Sequence, residues 1–248
     1  MLSEKEMSRR VSKFDRPLLS EPMTYRVVFR KVGNLQYFSH LDLQRTWQRV
    51  LVRASIPMWY TQGFNPHSKI VFGIPLSVGT QGLCEMVDLR VNRAISPEEM
   101  RDQLNAELTD EMQVGEVYVP TAPFADIAYA TYVFTLSDPS FDLPCEAVEA
   151  LFAPNADPIV MTKRTKSGDK ELNILPLIRE LHATHTEDGL LTLQATLAAG
   201  GNASLGPEYI VTALRERLHL LSDMAHPDSC WYSILRTGFL REDGSTFR

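Results

Sequence analysis

Apolar and polar residues alternate from the start of TYRVVFRKV, residues 24–32, where Tyr25, Val27 and Phe29 fall on one side and Arg26, Val28 and Arg30 on the other. A two-residue period is that of a strand with one covered face. Beyond Ser39 the period lengthens. Leu43, Trp47, Val50, Leu51 and Ala54 then share one face, while Arg45, Arg49 and Arg53 recur every four residues on the other, which predicts an amphipathic helix. Ser39 with Asp42 three residues later suits a capping box, and Pro57 ends the helix. A Gly63-Phe64-Asn65-Pro66 turn then leads into a strand over residues 69–72. CEMVDLRV, residues 84–91, alternates again, Ser96-Pro97 opens a helix to about residue 108, and a strand follows over 112–119. The order strand, helix, strand, strand, helix, strand is the split βαβ arrangement.

After PTAPFADIA, residues 120–128, the same order recurs, with strands over 130–136, 159–164, 190–197 and 231–236 and helices over 145–152 and 207–220. ILPLIRELHA, residues 174–183, adds a short helix-like stretch. The expected fold is α+β, two tandem ferredoxin-like (βαββαβ) units over residues 23–121 and 128–238. Residues 1–22, polar and carrying Pro17 and Pro22, read as a flexible leader, and 239–248 as a tail.

The chain has 248 residues, 44% of them hydrophobic, and a formal net charge of −6, so it is expected to be globular and not indiscriminately adhesive to polyanions. No apolar run is long enough to span a bilayer and the first residues lack a signal-peptide core, which predicts a cytoplasmic protein with no membrane association. Cys84, Cys145 and Cys230 are widely spaced and suit packing, not disulfides or a metal site. Charge is segregated. Residues 25–72 carry seven Lys or Arg and one acid, Asp42, whereas residues 76–161 carry three basic residues and fifteen acids.

That segregation makes Arg45, Arg49 and Arg53, with Arg26, Arg30 and Lys69, a candidate phosphate-binding surface, since guanidinium groups contact phosphate oxygens in pairs. A solvated helix face partly neutralised by Asp42 accounts for the same residues. Lys163, Arg164, Lys166 and Lys170 form a second basic cluster. WYTQGFNPHSK, residues 59–69, sets Tyr60 and Phe64 beside Asn65, His67 and Lys69. Aromatic faces beside polar and cationic groups suit unpaired RNA bases, and a tight turn with its aromatics in the core also fits. His40 and His67 are the catalytic candidates, as a general acid and base for RNA cleavage, although a helix-start hydrogen-bonding role for His40 is favoured. His182 and His185 lack a completing ligand set, so no metal is expected. No phosphate loop, dinucleotide fingerprint, nucleophile elbow or iron–sulfur triplet occurs, so no cofactor is expected and an independent enzyme is disfavoured.

Ser39-His40-Leu41-Asp42, Arg45, Arg49, Arg53-Ala54, the run from 60 to 69, Phe72, Pro75-Leu76, Gly79, Glu85 and Asp88 together resemble the radical-SAM-linked protein family, a domain of unknown function found beside or fused to radical-SAM proteins. Weaker resemblance extends over most of residues 24–235. The family's Glu-x-Asp-Ile-Arg-Pro segment reads Glu171-Leu172-Asn173-Ile174-Leu175-Pro176 here, without its Asp and Arg. The helix and GFNP turn more distantly resemble double ferredoxin-like CRISPR RNA endonucleases. The resemblance implies a partner radical-SAM protein. The expected function is an accessory role to that separately encoded enzyme, binding RNA through the basic surface; metal-independent RNA cleavage and docking of an acidic protein are the alternatives.

Overall fold

The alternation of Tyr25, Val27 and Phe29 closes one face of a long strand, β1 (Leu18–Lys31), in which all three side chains are buried. The computed structural model describes residues 16–139, 144–165, 168–201, 203–221 and 229–248. Residues 18–22, expected within a flexible leader, are therefore strand, and residues 1–15 of that leader lie outside the described residues. What orders the start of the strand is charge pairing. Arg16 grips Glu99 with two nitrogens, at 2.6 and 2.8 Å, and its carbonyl accepts a hydrogen bond from Arg93 at 2.6 Å.

The backbone divides into two compact units, one of residues up to Val78 plus Cys84–Ala122, the other of Gly79–Leu83 plus Pro123–Arg248. In the first unit β1 leads to α1 (His40–Arg53), β2 (Ile70–Phe72), β3 (Thr80–Arg93), α2 (Pro97–Asn105) and β4 (Val114–Tyr118). The strands lie in the order β4-β1-β3-β2, with β1–β4 and β2–β3 antiparallel. Both helices start as the sequence dictates, α1 at a complete Ser39–Asp42 capping box and α2 at Ser96 followed by Pro97. The apolar stripe of α1 is buried at Leu43, Trp47, Val50, Leu51 and Ala54. Trp47 meets Phe29 edge-on at 4.9 Å, and α2 adds Met100 and Leu104 to the same core.

In the second unit the elements are β5 (Tyr129–Ser137), α3 (Cys145–Leu151), β6 (Val160–Thr165), β7 (Gly168–Asn173), β8 (Ile178–His185), β9 (Leu191–Ala198), α4 (Glu208–Leu218) and β10 (Trp231–Leu240). Ala130, Phe134 and Leu136 of β5 and Leu191, Leu193 and Leu197 of β9 are buried, as are Val148, Ile210 and Leu214 of the helices. Thr80–Gly82 pair with β10 in parallel, while β10–β5, β5–β9 and β8–β9 are antiparallel. The fold is thus α+β with both pairing senses and four α helices among the described residues.

One segment of the second unit differs from the expected arrangement. The segment expected as the second sheet strand, β6, instead pairs with β7 in a separate hairpin. Its place beside β9 is taken by β8, whose sequence was expected to be helix-like. A single tight turn, Leu175–Leu177, precedes β8, and from Ile178 onward the chain is held extended by pairing along β9. No helix among the described residues is long and apolar enough to cross a membrane.

Truncation of Trp47 to Ala is expected to cost about 3–5 kcal/mol, read from the chemical-denaturation midpoint, because a fully buried aromatic is removed from a packed core. The hydrogen bonds from Arg16 hold the Glu99 carboxyl below its ordinary value. Its stabilising contribution is therefore present above that ordinary value and is lost as pH falls through the depressed one. Glu99→Gln should lower the melting temperature at neutral pH, with the gap to the parent closing in acid; a gap that persists below about pH 2 assigns the effect to packing.

Candidate functional site

The free face of α1 and the hairpin after it form the site. Met58 bridges to Val91 and Tyr60 to Ser68, and Trp59 donates its amide to the Arg90 carbonyl at 2.7 Å, so the segment is tied to β3. The neck of the turn is closed twice. The Thr61 amide donates to the His67 carbonyl at 2.9 Å and the His67 amide to Thr61 Oγ1 at 3.1 Å. Gly63 lies at φ +147°, a backbone that side-chain-bearing residues rarely adopt, and the tip from Gly63 to Pro66 projects into solvent. Phe64 at that tip is completely exposed, and Tyr60 at its base is 44% exposed. The expected alternative in which both aromatics enter the core does not hold.

Between this hairpin and α1 lies a cavity of about 220 Å³. Leu51, Ile56 and Met58 form its buried apolar floor, and Gln48, Tyr60, His67 and Ser68 stand around it. His67 Nδ1 lies 3.2 Å from the Asn65 carbonyl and 3.1 Å from Thr61 Oγ1. In the neutral tautomer that donates from Nδ1 to the Asn65 carbonyl, Nε2 is an acceptor. His40 is exposed at the first position of α1, its ring edge-on to Phe72 at 5.3 Å, and does not line the cavity. The helix-start bonding expected of it belongs to Ser39 and Asp42. The Ser39 hydroxyl bond, first, and its backbone bond hold the Asp42 carboxyl below the ordinary carboxylate value.

The basic residues divide into two groups. Arg26 is fully buried and makes a fork to Asp88, Nε to Oδ1 at 2.8 Å and the second nitrogen to Oδ2 at 2.9 Å, so it is no part of a surface. Arg53 pairs with Glu107 at 3.0 Å, and Arg30, exposed, donates to the Asp110 carbonyl at 2.7 Å. Arg45, Arg49 and Lys69 are exposed and form no ion pair with a carboxylate among the described residues. Lys163 and Arg164 fall on β6, where their side chains lie outside the described residues, as does Lys166; Lys170 is exposed on β7. Glu85 is buried beside Val87 and Leu89, as its alternation implies. Gln48, Ser68 and the apolar floor were not singled out by sequence. The one available signal was that Gln48 sits one turn from Arg45 on the flank of the basic stripe.

The model of a family described as "Uncharacterized protein conserved in bacteria (DUF2344)" matches residues 24–207. No curated protein matches. Similar solved structures include a chain of the "Crystal Structure of a Cbf5-Nop10-Gar1 Complex", 10% identical with a TM-score of 0.44, covering 88% of this chain and 50% of that one. The chain thus spans about half the length of that chain, and at this similarity the match carries no functional argument.

Arg26→Ala should destabilise the protein by about 3–5 kcal/mol, because it leaves Asp88 partnerless in a largely buried position. Arg53→Ala, whose side chain is 55% exposed, should cost less than about 1 kcal/mol. Equal costs in urea denaturation would contradict this division between buried and surface cations.

Proposed function

We propose that this chain, which by that match over most of its length belongs to the DUF2344 family, is a cytoplasmic accessory protein that binds single-stranded RNA on α1 and the adjoining hairpin and serves a separately encoded radical-SAM enzyme. The carrying observation is that Arg45 and Arg49 stay exposed and, among the described residues, without a carboxylate ion pair on the helix that walls the cavity, while Tyr60 and Phe64 stay exposed on the opposite wall and tip. Cations that track phosphates beside aromatic faces that stack bases are the two components of single-strand binding. The strand order β4-β1-β3-β2, with a helix after β1 and another after β3, supports reading the first unit as ferredoxin-like. The radical-SAM partner rests on the resemblance of the Ser39–Asp88 segment.

A second reading, metal-independent RNA cleavage, is favoured by one observation, the uncommitted Nε2 of His67 at the cavity. A general base also needs an acid partner, and His40 does not share the cavity. Binding without cleavage of labelled RNA in chelator supports the accessory role; cleavage lost in His67→Ala with affinity retained replaces it.

Replacing Arg45 and Arg49 together by Glu should weaken binding of a fluorescent single-stranded RNA by roughly ten- to a hundredfold with the circular-dichroism spectrum unchanged. The salt dependence of the logarithm of affinity should become shallower by about 0.7 for each phosphate no longer neutralised. Unchanged affinity would assign both residues to solvation. Affinity capture from the native host that returns RNA without a radical-SAM protein removes the partner and leaves the RNA.

A further inference from the structure

Resting on the RNA-binding reading, we propose that the cavity between α1 and the Tyr60–Ser68 hairpin receives one unpaired base of the bound strand and reads its edge through Gln48, Ser68 and His67. At about 220 Å³ the cavity is smaller than the roughly 300–1,000 Å³ of drug-sized sites, so it suits one small planar group. Its floor is apolar, with Leu51, Ile56 and Met58 each buried, which suits the face of a ring. Its rim is polar. The Gln48 amide both donates and accepts, the Ser68 hydroxyl does the same, and His67, in the tautomer that donates from Nδ1 to the Asn65 carbonyl, keeps Nε2 to accept.

This combination separates a base from the apolar side chain of a protein partner. An aliphatic or phenyl group would fill the floor but strip water from three polar side chains without replacing their hydrogen bonds, at a cost for each. A heterocycle fills the same floor and presents donors and acceptors at its edge. Charge complementarity points the same way. Gln48 is three residues from Arg45 and adjacent in sequence to Arg49, so exposed cations on the same helix lie near the phosphates flanking a base held at Gln48. Tyr60, partly exposed at the rim, offers a further ring face.

The test uses the full chain and fluorescent homopolymers of U, C, A and G of about twelve nucleotides. The parent should prefer one base over the least favoured by at least about fivefold. Gln48→Ala and Ser68→Ala, both changes near the surface, should each shrink that preference, read as the ratio of affinities for the most and the least favoured homopolymer. The Arg45→Glu, Arg49→Glu double variant should weaken all four homopolymers alike. A parent that binds all four equally, or Gln48→Ala and Ser68→Ala variants that keep the full preference, overturns base reading and leaves RNA binding standing. A parent that binds none of the four overturns both.

Discussion

The burial of Trp47 against Phe29 is the constraint on which the candidate site depends. A helix turns by about 100° per residue, so a side chain locked beneath α1 fixes the direction of every other one. With Trp47 fully buried, Gln48 is turned to the flank that meets the hairpin, and Arg45 and Arg49 are turned to solvent. The other wall of the cavity depends on the hairpin's ties to β3 through Trp59, Met58 and Lys69. Helix and hairpin thus both rest on the core of the first unit, and the polar groups at the cavity are held by packing below them.

Charge is distributed differently in space from along the chain. The basic segment and the acids that follow it are separated in sequence, yet β1 lies beside β3, and Arg26 finds Asp88 there. The loop after α2 returns Glu107 to Arg53. Much of the apparent electropositive character is therefore internal neutralisation, and the surface that remains is smaller, centred on Arg45 and Arg49. A fully buried Arg forked to a carboxylate also specifies register, since a shift of either strand by one residue would bury both charges apart.

The first unit was largely legible in sequence because its signals are local. The period of the α1 stripe, the Ser39–Asp42 box and the alternation in β1 and β3 each act within a few residues. The second unit was less legible because its differences are long-range. Nothing near Val160–Thr165 announces that its partner is Gly168–Asn173 and not the sheet, and the helix-like spacing of Ile178 and Leu181 gives way to pairing with β9 after Pro176. At the site, the exposure of Arg45 and Arg49 could be read from pattern, but that of Phe64 was open between stacking and core, and the withdrawal of Arg26 required knowing that β3 lies next to β1. The cavity needed both walls placed in space, so Ser68 had no individual signal and Gln48 only its place one turn from Arg45.

The most direct measurement is ultraviolet crosslinking of the protein to RNA in its native cells, followed by mass-spectrometric identification of the peptides that carry nucleotide. The account predicts adducts concentrated in peptides spanning residues 45–53 and 58–69, with Tyr60 and Phe64 as the expected attachment points. Adducts confined to the second unit, or none above the level of an unirradiated control, would contradict it.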